Sequence, residues 1–250
     1  MGRLGITSVM AIIRAAFDSS KDQPAGITTV AGYLGNETAW LGIEERWNNA
    51  LGVARIADFH LKDIKHRFND WVDVITPFAG ILAQSNLRSV TASMKDTDWS
   101  DFGYHAAFRE VLPTREAACL YLLFGVLADD VRLTFDNAPI VVVFDNDWGG
   151  KREGVVRVHD AWCRDTGHPG FNIFMKGGVS WDSIPLQAAD LIAGLLRQSA
   201  FWRRGLDMLQ EPGPIDPLSD LTIRALNQSR GAIWSKAYAD KVAEVMRGRA

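Results

Sequence analysis

Three aspartates stand at places where a fold could gather them. Asp18 closes the apolar run Ile12-Ile13-Arg14-Ala15-Ala16-Phe17, and Asp145 closes Pro139-Ile140-Val141-Val142-Val143-Phe144. Asp190 lies inside Pro185-Leu186-Gln187-Ala188-Ala189-Asp190-Leu191-Ile192-Ala193-Gly194-Leu195-Leu196, among small residues. In open α/β sheets, sites form at the carboxyl ends of strands. Carboxylates brought together there suit a hard divalent cation such as Mg²⁺ or Mn²⁺, held by a few carboxylates and by substrate phosphates. Two such ions roughly 4 Å apart clamp the attacking and leaving oxygens of a phosphodiester. Each aspartate also has a structural reading. A strand-ending Asp is a common turn former, and Asp190 could pair with Arg197. No two of the three are close in sequence, so their convergence rests on the order of the elements.

Other groups could assist. His60 and Asp63 are three apart and would share one face of a helical turn. His60 could orient a water or bind metal, or be a surface or core histidine. Asp147 could assist Asp145, or belong to a turn in Asn146-Asp147-Trp148-Gly149. Lys62, Lys151 and Arg152 could meet phosphates or simply be solvated. Trp40, Trp47 and Trp71 lie on apolar helix faces and read as core, whereas Trp99, Trp148 and Trp181 lie in loops where bases could stack. There is no P-loop, dinucleotide fingerprint, zinc pair or Gly-x-Ser-x-Gly elbow, which argues against nucleotide-driven motors, nicotinamide oxidoreductases and serine hydrolases.

The elements that must position these groups follow from periodicity. Ile12–Phe17 and Ile27–Leu34 read as a hairpin with a long loop. Asn36 can cap a helix that starts at Glu37, with Trp40, Ile43, Trp47 and Leu51 on one face. Trp71–Ala83 reads as a helix that Pro77 should kink or divide. Leu87–Met94 reads as a strand, and Phe102–Val111 and Glu116–Val131 as helices. Residues 139–144 form the clearest strand, a β-branched run expected to be covered on both faces. A helix over Glu153–Asp165, a strand over Phe171–Met175 and a helix from Pro185 to Leu196 follow. Glu211–Pro217 is a Pro/Gly-rich separator before a last helix over Ile233–Met246. The order predicts an α/β sheet covered by helices, with antiparallel pairing at one side.

Composition sets the outer limits. With 250 residues, 47% hydrophobic and 23% charged, the chain is ordinarily globular and long enough to bury a full core. A net charge of −3 supplies no bulk basic field for nucleic acid or membrane. Two cysteines cannot make a disulfide framework. No apolar run reaches the ~18–20 residues of a membrane span, and no secretory leader pattern opens the chain, so the expected location is cytoplasmic, with no membrane partner. The expected organisation is an α/β domain over residues 1–204 and a helical extension over 205–250, packed on the same domain.

Several segments together resemble an uncharacterised family, domain of unknown function 3800. They are Phe17-Asp18-Ser19-Ser20, Val30-Ala31-Gly32-Tyr33, the Trp40/Trp47 helix, Phe59-His60-Leu61-Lys62-Asp63 and Leu186-Gln187-Ala188-Ala189-Asp190-Leu191-Ile192-Ala193-Gly194. The likeness spans roughly residues 12–200, and its most specific pieces are the Gln-Ala-Ala-Asp helix and the His-Leu-Lys-Asp segment. It implies a ribonuclease H-like fold and suggests a Mg²⁺- or Mn²⁺-dependent nuclease acting on RNA or DNA. Carried over residue by residue, it makes Asp18, Asp145 and Asp190 the metal ligands and His60 and Asp63 auxiliary groups. Gln187 takes the place of the motif glutamine. The family's first motif reads Asp-Glu-Ser-Gly, but here it is Asp18-Ser19-Ser20-Lys21, so one acidic group is absent. That departure keeps a rival open: a catalytically inactive module that binds a partner, in defence against mobile elements. A third reading is a structural subunit that self-associates through its C-terminal region.

Overall fold

The computed structural model describes residues 12–22, 26–95, 97–99, 110–136, 138–145, 151–176, 183–198, 221–222, 224–226 and 230–233. Its centre is a hairpin of two ten-residue strands, β1 (Ile13–Asp22) and β2 (Ile27–Asn36), paired from Ile13↔Asn36 to Asp22↔Ile27. Gly32 lets the two backbones close up, because a Cβ there would fall 1.8 Å from the Ala16 carbonyl oxygen. The ladder runs past Phe17, so Asp18 lies within β1 and not at its end, contrary to expectation. Pairing with Thr28–Ala31 holds the polar stretch Asp18–Lys21 in the strand, against its turn-like composition.

Helix α1 (Glu37–Ala54) starts directly from β2. Asn36 caps it through its side-chain oxygen, which accepts the Ala39 N–H at 2.9 Å. Helices α2 (Leu61–Arg67) and α3 (Trp71–Ala83) follow. Pro77 lies inside α3, which runs on through it undivided. Strand β3 (Arg88–Lys95) pairs antiparallel with β2. Helix α4 (Arg115–Thr134), strand β4 (Ile140–Asp145), helix α5 (Lys151–Thr166), strand β5 (Asn172–Lys176) and helix α6 (Ile184–Gln198) complete the order. Residues 230–233 form a last strand, β6 (Arg230–Ile233), parallel to β3. The expected helix from Ile233 is corrected at its first residue, and the rest of it lies outside the described residues. So do most of the expected Phe102–Val111 helix and the Glu211–Pro217 separator.

The sheet has six strands in the order β5-β4-β1-β2-β3-β6. It is antiparallel through β1, β2 and β3, and parallel where β4 joins β1, β5 joins β4 and β6 joins β3. Strand alternation divides the burial between two faces. Ile13, Ala15, Phe17, Val30 and Leu34 join β4, α4 and α5 in one core. Ala31 and Tyr33 join α1, α2, α3 and α6 in the other. Helix α6 lies across β1 and β2. Its apolar positions go all round, as suits a helix enclosed on every side. Residues 221–222 and 224–226 seal the same face: Tyr33 donates its buried hydroxyl hydrogen to the Ala225 carbonyl, and Leu221 and Ala225 join that core. Trp40 and Trp47 are core, as expected. Trp99 is not the exposed loop ring foreseen; it is partly buried against the first core. Among the described residues, no helix is long and apolar enough to cross a membrane.

Candidate active site

Helix α6 brings the site together. From Pro185 to Leu196 every residue is buried except Asp190, which keeps part of its surface open. Asp is a poor helix-interior residue, so its place here calls for partners. Three kinds are present. Its Oδ2 accepts the Leu61 N–H at 2.7 Å. Its carboxyl is hydrogen-bonded to that of Asp18. The imidazole of His60 and the guanidinium of Arg197 add favourable charge.

Burial pushes the Asp190 carboxyl above the usual carboxylate range. The Leu61 N–H, His60, the Asp18 hydrogen bond and Arg197 all oppose that shift without overcoming it. Of the two carboxyls, that of Asp18 is the one that eases the ionisation of Asp190, against the larger effect of burial. Asp18 also accepts the N–H of Ser19 at 2.7 Å through Oδ1. Two residues far apart in sequence, on β1 and α6, are therefore joined at their acidic ends.

Asp145 enters through the sheet. Phe17 and Phe144 are register partners on the parallel strands β1 and β4, and Asp18 and Asp145 each come one residue later. Neighbouring strands lie about 4.8 Å apart, so the two backbones are adjacent; the side chain of Asp145 lies outside the described residues.

Gln187 has a different task. It is buried one turn before Asp190, and its Oε1 accepts the Trp47 Nε1–H at 2.8 Å and the Phe59 N–H at 3.3 Å. Phe59 in turn packs with Trp47 and Phe78, ring centroids 4.8 to 5.4 Å apart. Gln187 and Asp190 thus hold Phe59 and Leu61 by their amides and fix the entry into α2. Gly194 permits the close approach, since a Cβ there would sit 2.1 Å from Leu61 Cδ2.

His60 precedes α2, with its Nδ1 3.0 Å from Asp63 Oδ2. Asp63 is 74% exposed and is no part of the cleft wall; it touches the site only through His60. A cleft of about 460 Å³ opens over Asp190, lined also by Ser20, His60, Lys62, Lys65 and Arg197, among others. Ser20 and Lys65 lay beyond the sequence reading. The spacing from Asp190 to Arg197, two helical turns, was the signal for Arg197. Asp147 and the side chains of Lys151 and Arg152 lie outside the described residues, as do Trp148 and Trp181.

Two neighbouring carboxyls, each accepting one backbone N–H, are oxygen ligands of the kind that Mg²⁺ or Mn²⁺ takes. Among the described residues, no three His, Cys, Asp or Glu side chains form a metal-ligand group. No protein-family model, curated protein or solved structure matches the chain significantly.

Proposed function

We propose that the chain is a ribonuclease H-like, Mg²⁺- or Mn²⁺-dependent nuclease of the domain of unknown function 3800 family. The observation that carries this reading is the contact between the Asp18 and Asp190 carboxyls. The mixed sheet, antiparallel on one side of β1 and parallel on the other with helices on both faces, supports the fold part of it.

Asp18 and Asp190 would hold the cation, with Asp145 as the third ligand from the adjacent strand. When bound, the ion would neutralise charge developing on the phosphate and make a water acidic enough to attack. The chain's own residues do the positioning. The Leu61 amide and the His60 and Arg197 charges orient Asp190 toward its ionised form. His60 lines the cleft, with Asp63 Oδ2 3.0 Å from its Nδ1, and would be the group that moves a proton at the wall. Gln187 keeps this wall against α6.

The test is titration calorimetry with Mn²⁺, followed by cleavage assays on DNA and RNA oligonucleotides with Mg²⁺ or Mn²⁺, comparing wild type with Asp190→Asn. Saturable binding with proton release, lost in the variant together with cleavage, is expected. Equal cleavage by both proteins would reject the role given to Asp190.

A second reading, a binding module without catalysis, is favoured by one observation. Ser19 stands where the family motif has its glutamate, and its backbone amide caps Asp18. Absence of saturable Mn²⁺ binding would select it.

A further inference from the structure

The wall of the cleft is basic where its floor is acidic. Lys62 and Lys65 come from α2 and Arg197 from α6, with His60 and His66 beside them; among the described residues that line the cleft, Asp190 is the one carboxylate. Lys65 is held in place: its Nζ donates to Gln198 Oε1 at 2.7 Å and lies 5.0 Å from the centre of the Trp71 ring. Lys62 is exposed and makes no ion pair among the described residues. The net charge of the chain is −3, so this concentration of cationic groups is local and not a general property of the surface. An anion drawn here would lie beside Asp190, where the reaction would need a phosphate.

Size narrows the choice. A volume of about 460 Å³ falls within the ~300–1,000 Å³ range of small-molecule pockets. That leaves room for a nucleotide or two of one strand, whereas a duplex could only lie across the rim, with its phosphates kept away from Asp190. We infer that the cleft binds single-stranded nucleic acid by its backbone, with a phosphate held by Lys62, Lys65 and Arg197 beside Asp190. This inference rests on the nuclease reading for its substrate class, but it assigns a strandedness and a phosphate clamp that the carboxylates alone do not require.

The experiment measures binding in EDTA, apart from any cleavage. Fluorescence anisotropy is followed for a labelled oligothymidine strand of about a dozen residues and for the same strand paired with its complement. The proteins are wild type, Lys62→Glu, Lys62→Arg and, as a control on the far face of the sheet, Arg132→Glu. Wild type should prefer the single strand by roughly tenfold or more. Lys62→Glu should lose about tenfold and flatten the log–log salt dependence by about one, Lys62→Arg should restore both, and Arg132→Glu should change affinity less than about twofold. Lys62 and Arg132 are both solvent-exposed, so folding does not confound the comparison. Equal losses in Lys62→Glu and Arg132→Glu, equal binding of the duplex, or no binding by wild type would overturn the inference. Mn²⁺-dependent cleavage with strand binding indifferent to Lys62 would sink this clamp and spare the nuclease reading. Lys62-dependent strand binding without Mn²⁺ uptake or cleavage would do the reverse.

Discussion

Asp190 and Leu61, 129 residues apart, are joined by a 2.7 Å hydrogen bond from the first amide of α2 to a carboxylate on α6. His60, the residue that would normally cap this helix, makes no side-chain cap bond. Asp190 therefore caps α2 from another element, while its other neighbour is the Asp18 carboxyl. One side chain both ties the site wall to the core and carries a burdened charge.

These two duties separate by substitution. Asp190→Asn keeps an oxygen for the Leu61 N–H but removes the buried charge, so in EDTA at neutral pH it should equal or exceed wild type in stability. Asp190→Ala strands that amide and should cost about 1–3 kcal/mol. The pH sign follows from the raised carboxyl. Folded Asp190 keeps its proton above the pH at which the unfolded chain has released it, so stability falls as pH rises through that window. The advantage of the Asn variant should widen in the same direction. Urea denaturation across pH decides it; an Asn variant as unstable as the Ala variant would refute the burial argument.

Gln187 supplies the second prediction. Replacing it with Leu leaves the Trp47 Nε1–H and the Phe59 N–H buried without the oxygen that now accepts both. The expected loss is about 2–6 kcal/mol, since each of the two stranded buried donors costs about 1–3 kcal/mol. Because the same oxygen fixes the approach to α2, Mn²⁺ affinity should drop as well. A variant that unfolds at the wild-type urea midpoint would show that water replaces Gln187.

Much of this frame was legible in the sequence, and the misses have physical causes. The β-branched run before Asp145, the Asn36 cap and Pro185 at the start of α6 are local signals, and each led to the observed element. Asp190 stood out because an aspartate in an apolar helix needs a reason. The extent of β1 did not show, because Ser19, Ser20 and Lys21 are held in the strand by pairing with β2 and not by their own preference. Nor did β6: Arg230-Gly231-Ala232-Ile233 has no strand period, and only β3 beside it makes it one. The Asp18–Asp190 contact is a tertiary fact between elements; sequence order made it conceivable, and the packing of α6 across β1 brings it about.

Arg88 and Asp130 form the third test, away from the site. Asp130 is fully buried on α4, and Arg88 at the start of β3 gives it two bonds, Nε to Oδ2 at 2.7 Å and Nη2 to Oδ1 at 2.8 Å. Arg88→Met would leave a buried carboxylate without its partner, at a cost of about 3–5 kcal/mol. The double variant Arg88→Met/Asp130→Leu should recover most of that, because no charge remains to be stranded. If the double variant is no better than the single one, the pair matters for packing and not for charge.

The last prediction concerns acid. His159 on α5 accepts the Phe171 N–H through Nε2 at 2.8 Å, and His168 accepts the Gly170 N–H through Nδ1 at 3.0 Å. Both rings must be neutral at those nitrogens to accept. Burial holds both imidazoles below their ordinary value of 6.5; for His159, Asp160 opposes the shift and His168 adds to it. Cys163 faces the His159 ring, with Sγ 3.5 Å from Nε2, and Trp162 stacks on Phe171, which tightens the enclosure. Gly170 sits at φ +94°, and a Cβ there would meet the His159 ring at 2.8 Å, so glycine is what lets the loop pass this close to the ring. The unfolded chain takes up protons near pH 6.5 while the folded one resists. The stabilisation is therefore complete above that pH and is lost as pH falls toward the lowered folded values. Urea midpoints from about pH 5 to about pH 8 should fall on the acid side, and His159→Gln, whose amide oxygen can accept the Phe171 N–H at any pH, should flatten that fall. An acid slope unchanged in His159→Gln would place the sensitivity elsewhere.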